Sequence, residues 1–573
     1  QRPRPARDGQ RAPQHPRRAG AEGADHAPLD QPHRDSPVFD HHFGERLLSG
    51  GEVVIDSHAT EEPQVDAPLT GPTGPTGPSK LVAHLLLLGA VALLWSMLAG
   101  QPLWHTDLWG HLAYGRWMIQ HDGQIPLAEP FLPYADDNLL VDTAHLSQLI
   151  GYRVMRAGGV EALQLLYATL VTGCALLSVA PVLASRCPRR IAASIAGAAI
   201  FLAVAWQQLE IMRPQLAGLA CFTGLLALLH DPRPSWWRMV LVGVVMAAWA
   251  NLHGSFVIGW LLLATHLIGR VIDRIARTRR RGAWRHDRQL AHRLRQATLG
   301  VLVPLVATPY GTSLPWQAWQ IGRHPNLADI IEWQPLGWDT AQASAMLAAA
   351  VLIGSLAIIG RRRVRSYAWL MLITTGVATV ACSRMINWWA PVAGLVVALQ
   401  ATALSSRLGL SQPLPPADRR KVLVGAVVMT LVTLIASPAA RGLLVERDTL
   451  VARRPMVSSA TPLEATAWLL EHPPRGMVLA SYEWGDFLIW QGPPRIQLLV
   501  ASHAHLVPET AWRDYIEVIG VATDWSQRLD RHNIQTLVLD RHRQAGLIAA
   551  LEDDPGWQQD YSDALAEVWS RKQ

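Results

Sequence analysis

The chain has 573 residues, half of them apolar, with 17% charged residues, a mean hydropathy of +0.13 and a formal charge of +6. Water-soluble domains carry about 25% charged residues, so this composition excludes an ordinary soluble enzyme. Lysine occurs only at Lys80, Lys421 and Lys572, and the arginines form short clusters between apolar runs rather than one stripe beside aromatics, which argues against nucleic acid as a partner.

Residues 1–79 are rich in Pro, Gly, Arg, His, Asp and Glu and end in three Gly-Pro-Thr-like triplets from Gly71 to Pro78. Such a segment cannot bury enough apolar surface to offset its chain entropy, and it reads as a disordered, cytoplasmic N-terminal tail. The first strongly apolar run follows Lys80, so no signal peptide is read.

From residue 80 to about 439 the sequence offers repeated apolar runs near the length of about 20 residues that crosses a bilayer. They lie near 81–99, 160–185, 190–206, 213–230, 237–251, 254–271, 296–309, 342–360, 366–383, 386–404 and 421–438. That pattern predicts about eleven transmembrane helices. The arginine clusters Arg186–Arg190, Arg233–Arg238, Arg270–Arg295, Arg361–Arg365 and Arg407–Lys421 fall at every second loop. The positive-inside rule places those loops in the cytoplasm and the others outside, including the long loops 100–159 and 310–341. In the first of these, Leu108–Gln120 reads as an amphipathic helix lying at the membrane interface, and Asp142–Arg156 as a second helix. Tryptophan pairs such as Trp236-Trp237 and Trp388-Trp389 read as interfacial anchors at span ends.

Residues 440–573 have ordinary charge. Strands are expected at 476–480, 496–500 and 536–540 and helices at 462–471 and 508–519, giving a small extracytoplasmic α/β domain with a partly parallel sheet. The cysteines show no CxxC pair or Cys/His cluster, so neither a disulfide framework nor a zinc site is read.

Polar residues at the outer span ends form the candidate site, because each costs free energy there unless paired or hydrated. Asp107 and His111 stand four apart, on one face of a helix that begins at Asp107, as an acid/base or metal pair requires; capping of the helix is the other reading of Asp107. His105, Asp107 and His111 are the candidate metal ligands. Arg213 and Arg384 can hold a phosphate by paired hydrogen bonds, although Arg213 can equally pair with Glu210. Glu332 is a second carboxylate able to share acid/base work. Gln215, Asn251, His253, Tyr310 and Trp333 complete the set as substrate contacts. Tyr482 to Asp486 reads as a turn after a strand.

The motifs Asp107-Leu108-Trp109-Gly110-His111-Leu112, Gly115-Arg116-Trp117, Ile125-Pro126, Asp142 to Gln148, Arg213-Pro214-Gln215, Trp249 to Gly254, Pro309-Tyr310-Gly311 and Glu332-Trp333, in this order, resemble bacterial multi-pass membrane proteins of the GT-C glycosyltransferase superfamily. Gly485 to Trp490 resembles their tail domain. The resemblance covers about residues 80–540. It implies transfer of a hexose or pentose from a polyprenyl-phosphate donor to a glycan, lipid or protein acceptor on the outer face of a bacterial inner membrane. It places Asp107 as general base or metal contact, with a divalent cation, Mg or Mn, as the cofactor expectation. Many relatives carry a second acidic residue where this chain has His105, which puts a paired-carboxylate metal site in doubt. Two further readings stand beside it: a transporter or flippase of an anionic lipid-linked substrate, and a non-catalytic scaffold with an outer binding domain.

Overall fold

The computed structural model describes residues 80–572 except 134–139, 184–187, 232, 234, 280–286, 361–363, 409–418, 438–439, 441 and 443–450. The expected N-terminal tail lies outside the described residues.

Every one of the eleven apolar runs is a helix. They are α1 (Lys80–Ala99), the second part of α3 (His145–Leu183), α4 (Pro188–Leu209), α5 (Pro214–His230), α6 (Trp236–Leu252), α7 (Phe256–Thr278), α8 (Arg288–Ala307), α10 (Ala341–Gly360), α11 (Ser366–Ala381), α12 (Ile386–Arg407) and α13 (Arg419–Ala436). Among the described residues five helices are long and apolar enough to cross a membrane, and four more are apolar but shorter. The bundle closes around α12, whose residues from Ile386 to Ala398 are all buried, so a helix that is apolar all round becomes the centre. Peripheral helices instead expose broad apolar faces, with Val306 84%, Ile358 78% and Ile435 71% accessible. Such a surface suits hydrocarbon and is untenable in water. The chain is a multi-pass membrane protein.

Gly158 and Gly159 break α3, and the positive φ of 64° at Gly159 is one that only glycine adopts without strain. The break separates a first segment from the bundle segment. At one end of the bundle the arginine-rich loops bind one another: Arg293 donates to the Asp231 carbonyl, Arg365 to the His230 carbonyl, and Arg270 pairs with Asp287. The polar candidates occupy the other end.

There α2 (Leu108–Gln120) has the expected bounds but not the expected setting. Both its faces are covered, with Leu108, Trp109, Leu112, Tyr114 and Met118 buried, because it lies between α3 and the C-terminal domain rather than on the membrane surface. The second expected helix starts at His145, three residues late, since the Asp142 carboxylate accepts from the Ala144 amide in a turn ahead of it. The short helix α9 (Leu314–Ile321) leaves α8 at 118°. Trp388 and Trp389 are not interfacial anchors: they are buried, Trp388 packing against Phe222 and Trp249, whereas Trp236 and Trp237 are exposed.

The C-terminal domain has α14 (Leu463–Glu471), β1 (Met477–Ala480), α15 (Tyr482–Gln491), β2 (Gln497–Leu498), α16 (Glu509–Ile519), α17 (Trp525–Arg531), β3 (Ile534–Asp540), α18 (Ala545–Glu552), β4 (Trp557–Ser562) and β5 (Ala566–Arg571). The sheet order is β2-β1-β3-β5-β4, parallel in its first three strands and antiparallel in the rest. The segment expected to be a turn, 482–486, opens α15. The domain has its own core around Val478, Leu499, Leu537 and Val568, into which the long loop 100–159 inserts Leu132. The chain enters the domain beside that loop, where Leu103 bridges Val457 in parallel.

Candidate functional site

Asp107 precedes α2 with φ 38° and ψ −52°, left-handed backbone that a non-glycine residue adopts only under strain of about 1–3 kcal/mol. Its carboxylate makes no cap to the helix; it meets the Arg213 guanidinium at 3.2 Å. Arg213, held at the start of α5 just before Pro214, is 4% exposed; its two terminal nitrogens bind Glu332 at 2.7 Å and the Gln208 side-chain oxygen at 2.7 Å, while its Nε has no partner among the described residues. Glu332 also pairs with Arg384, whose Nε donates to Gln215 at 3.1 Å and whose guanidinium lies 5.1 Å from the Trp333 ring centre. Carboxylate and guanidinium thus alternate through Asp107, Arg213, Glu332 and Arg384, four residues from four segments far apart in the chain.

A cavity of about 720 Å³ runs along this chain of charges. Asp107, His111, Gln215, His253, Glu332, Trp333 and Arg384 line it. So do Tyr482, Glu483, Ser502, His503 and His505, which all come from the C-terminal domain. Burial alone would raise the carboxyls of Asp107 and Glu332, but the two guanidiniums outweigh it and hold both below the usual carboxylate range. Burial drives His111 well below its ordinary value, so its ring is neutral, and its Nδ1 accepts from Gln148 at 3.2 Å.

The C-terminal domain is pinned over the site. His105 and Arg543 both bind Glu483, and Arg116 donates to the carbonyls of Ile489 and Trp490. Asp486 on α15 sits against Gly110 of α2, where a β-carbon would lie 2.5 Å from its carboxylate, so only glycine permits this approach. Burial, with a smaller contribution from the Asp107 charge, raises the Asp486 carboxyl to about 6, although Ser502 donates to it. An unfolded aspartate titrates near 3.9. The folded protein therefore binds this proton more tightly; the stabilisation is complete below about pH 4 and is lost as pH rises through about 6. Asp486→Asn is expected to gain melting temperature over the parent at pH 8 and to lose most of that advantage at pH 4, in melts of the detergent-solubilised protein.

No protein-family model and no curated protein sequence matches the chain. Among solved structures it is similar to the Archaeoglobus fulgidus oligosaccharyltransferase tethered to an acceptor peptide containing the NVT sequon. The TM-score is 0.50 at 11% identity, over 86% of this chain and 74% of that one. The apo form of that protein gives 0.50 at 12% identity over the same shares. ArnT from Cupriavidus metallidurans, bound to undecaprenyl phosphate, gives a TM-score of 0.46 at 15% identity over 85% of this chain and 97% of that chain. The chain has the GT-C fold.

On this GT-C scaffold the sequence-derived candidates separate. Asp107, His111, Gln215, His253, Glu332, Trp333 and Arg384 reach one cavity. Arg213 does not line it; it stands behind Asp107 and Glu332 and acts on their positions, which corrects its reading as a direct phosphate contact. It does not bind Glu210 either. Asn251 caps helix ends through the carbonyls of Ala247 and Ala307, and the Tyr310 hydroxyl accepts from the Asp142 amide, so neither is a substrate contact in this geometry. The three candidate metal ligands turn to different partners, His105 to Glu483, Asp107 to Arg213 and His111 to Gln148. They do not fit a shared cation, and among the described residues no group of three or more His, Cys, Asp or Glu side chains does. Sequence reasoning missed His503 and His505 and assigned Glu483 to a turn; the signal for them is the density of His and carboxylate residues between Glu483 and His505.

Proposed function

We propose that the protein is an inverting membrane glycosyltransferase that moves a sugar from a polyprenyl-phosphate donor to an acceptor hydroxyl on the outer face of a bacterial inner membrane. The observation that carries this reading is the cavity in which a strained, ionised Asp107 is fixed by buried Arg213 while Arg384 faces the same space. In the reaction the acceptor oxygen forms a bond to the anomeric carbon and its proton passes to Asp107. The bond from the anomeric carbon to the phosphate oxygen breaks, and the electron pair leaves with the lipid phosphate, whose charge Arg384 meets. Glu332 is the counter-ion that keeps both arginines in place, in preference to a second base, since two guanidiniums hold it ionised. His111 packs beside the base as a neutral ring. No step is routed through Mg or Mn, because the candidate ligands are engaged elsewhere.

The same reading takes the eleven helices as eleven spans, the arginine loops and N-terminus as cytoplasmic, and the C-terminal domain as extracytoplasmic, following the charge asymmetry of the loops. The GT-C neighbours favour a transferase, and the oligosaccharyltransferase acts on a peptide acceptor; the acceptor of this chain is a glycan, lipid or protein. Comparative mass spectrometry of envelope glycans and polyprenyl-linked sugars tests the function. A strain lacking the protein is expected to lose one sugar decoration and to accumulate its polyprenyl-phosphate sugar. An unchanged glycan and lipid profile overturns the reading.

A further inference from the structure

The cavity has an end that the reaction above leaves unused. Beyond His111, one helical turn from Asp107, it is walled by Asp142 and Gln148, which are 6% and 3% exposed. The Gln148 amide donates to Asp142 Oδ1 at 3.1 Å and to His111. Asp142 Oδ2 and Gln148 Oε1 have no hydrogen-bond partner among the described residues. Buried oxygens of this kind cost stability until a donor reaches them, and both are acceptors. Over them lies His503 of the C-terminal domain, its ring edge-on to His111 at 5.0 Å and to Tyr114 at 5.3 Å between centroids.

Charge sharpens the selection. Arg384 is the only arginine or lysine among the described residues that line the cavity, whereas Asp107, Asp142, Glu332 and Glu483 all line it. One guanidinium answers one phosphate. A second anion on the ligand would meet carboxylates with no cation to neutralise it.

We infer that the pocket formed by Asp142, Gln148 and His503 holds the sugar ring of the donor and selects an uncharged, hydroxyl-bearing sugar on a single phosphate against a uronic acid. This rests on the proposed function, since it places the sugar next to the base and the phosphate. The unpaired oxygens take ring hydroxyls as donors, and the aromatic edges pack on the ring.

The test uses the whole purified protein in detergent and three probes: decaprenyl phosphate, decaprenyl-phosphoryl glucose and decaprenyl-phosphoryl glucuronate, the last two differing only at one carbon. The glucose lipid is expected to bind at least about 10-fold more tightly than the glucuronate lipid. Asp142→Asn, which removes one of the carboxylates that repel the uronate, is expected to narrow that preference, and Gln148→Met, which removes an acceptor for a ring hydroxyl, to weaken binding of the glucose lipid, both variants binding plain decaprenyl phosphate as the parent does. If Asp142→Asn also loses the plain lipid it has misfolded, and Gln148→Met decides. Equal or tighter binding of the glucuronate lipid by the parent, or binding of the glucose lipid by Gln148→Met as tight as by the parent, overturns the inference and leaves the glycosyltransferase reading standing. Plain decaprenyl phosphate that binds no more tightly to the parent than to Arg384→Gln overturns both.

Discussion

Asp107→Asn is expected to lower sugar transfer by roughly 10²–10⁴-fold, the contribution typical of a positioned general base. The substitution keeps the size of the side chain and one oxygen for Arg213, so the protein should fold and bind a polyprenyl-phosphate lipid as before. The loss should appear in the turnover rate at saturating donor rather than in donor affinity, because the charge removed serves the proton and not the phosphate. Assays in membranes from cells expressing each variant, alongside a melting curve of each purified protein, separate the two quantities. Full turnover by Asp107→Asn would remove the residue from the mechanism.

Arg213→Met is expected to produce the largest combined effect. The guanidinium is 4% exposed and satisfies Asp107, Glu332 and Gln208 together. Removing one partner of a buried ion pair costs about 3–5 kcal/mol, since the carboxylates left behind remain desolvated and now repel each other. Transfer should fall as well, because Asp107 loses the contact that fixes its direction. Adding Glu332→Gln to Arg213→Met should recover part of the melting temperature, as one of the stranded charges is gone, but not the transfer rate. A single variant that melts with the parent would show that the ion chain contributes nothing to stability.

The helices of the bundle were largely legible in the sequence, because a long apolar run is a local property: about twenty apolar residues declare themselves wherever they pack. The boundary at residue 159 was legible for the same reason, since paired glycines end a helix without reference to neighbours. Asp107, Arg213, Glu332 and Arg384 were recognisable as polar residues at the ends of apolar runs away from the arginine clusters. Their pairing was not, because Asp107 and Glu332 reach Arg213 through packing of helices distant in sequence. Trp388 and Trp389 were misread on that account, as a tryptophan at a span end is an anchor or a core residue according to what surrounds it. Asn251 and Tyr310 were misread because polar residues at helix ends also serve to satisfy backbone groups. In the C-terminal domain β4 escaped notice because Gln558, Gln559 and Asp560 are polar and exposed, and β5 because the buried Glu567 interrupts its apolar run. α15 was hidden by its carboxylates, one of which is buried against Gly110.

The close seating of α15 on α2 has a consequence for biosynthesis. Part of the cavity wall comes from residues 482–506, which leave the ribosome after every helix of the bundle. Domains fold in the order they are made. A nascent chain therefore presents Asp107 and Arg384 before the cavity beside them has its second wall, and the cavity is complete only when the C-terminal domain has folded onto the first loop.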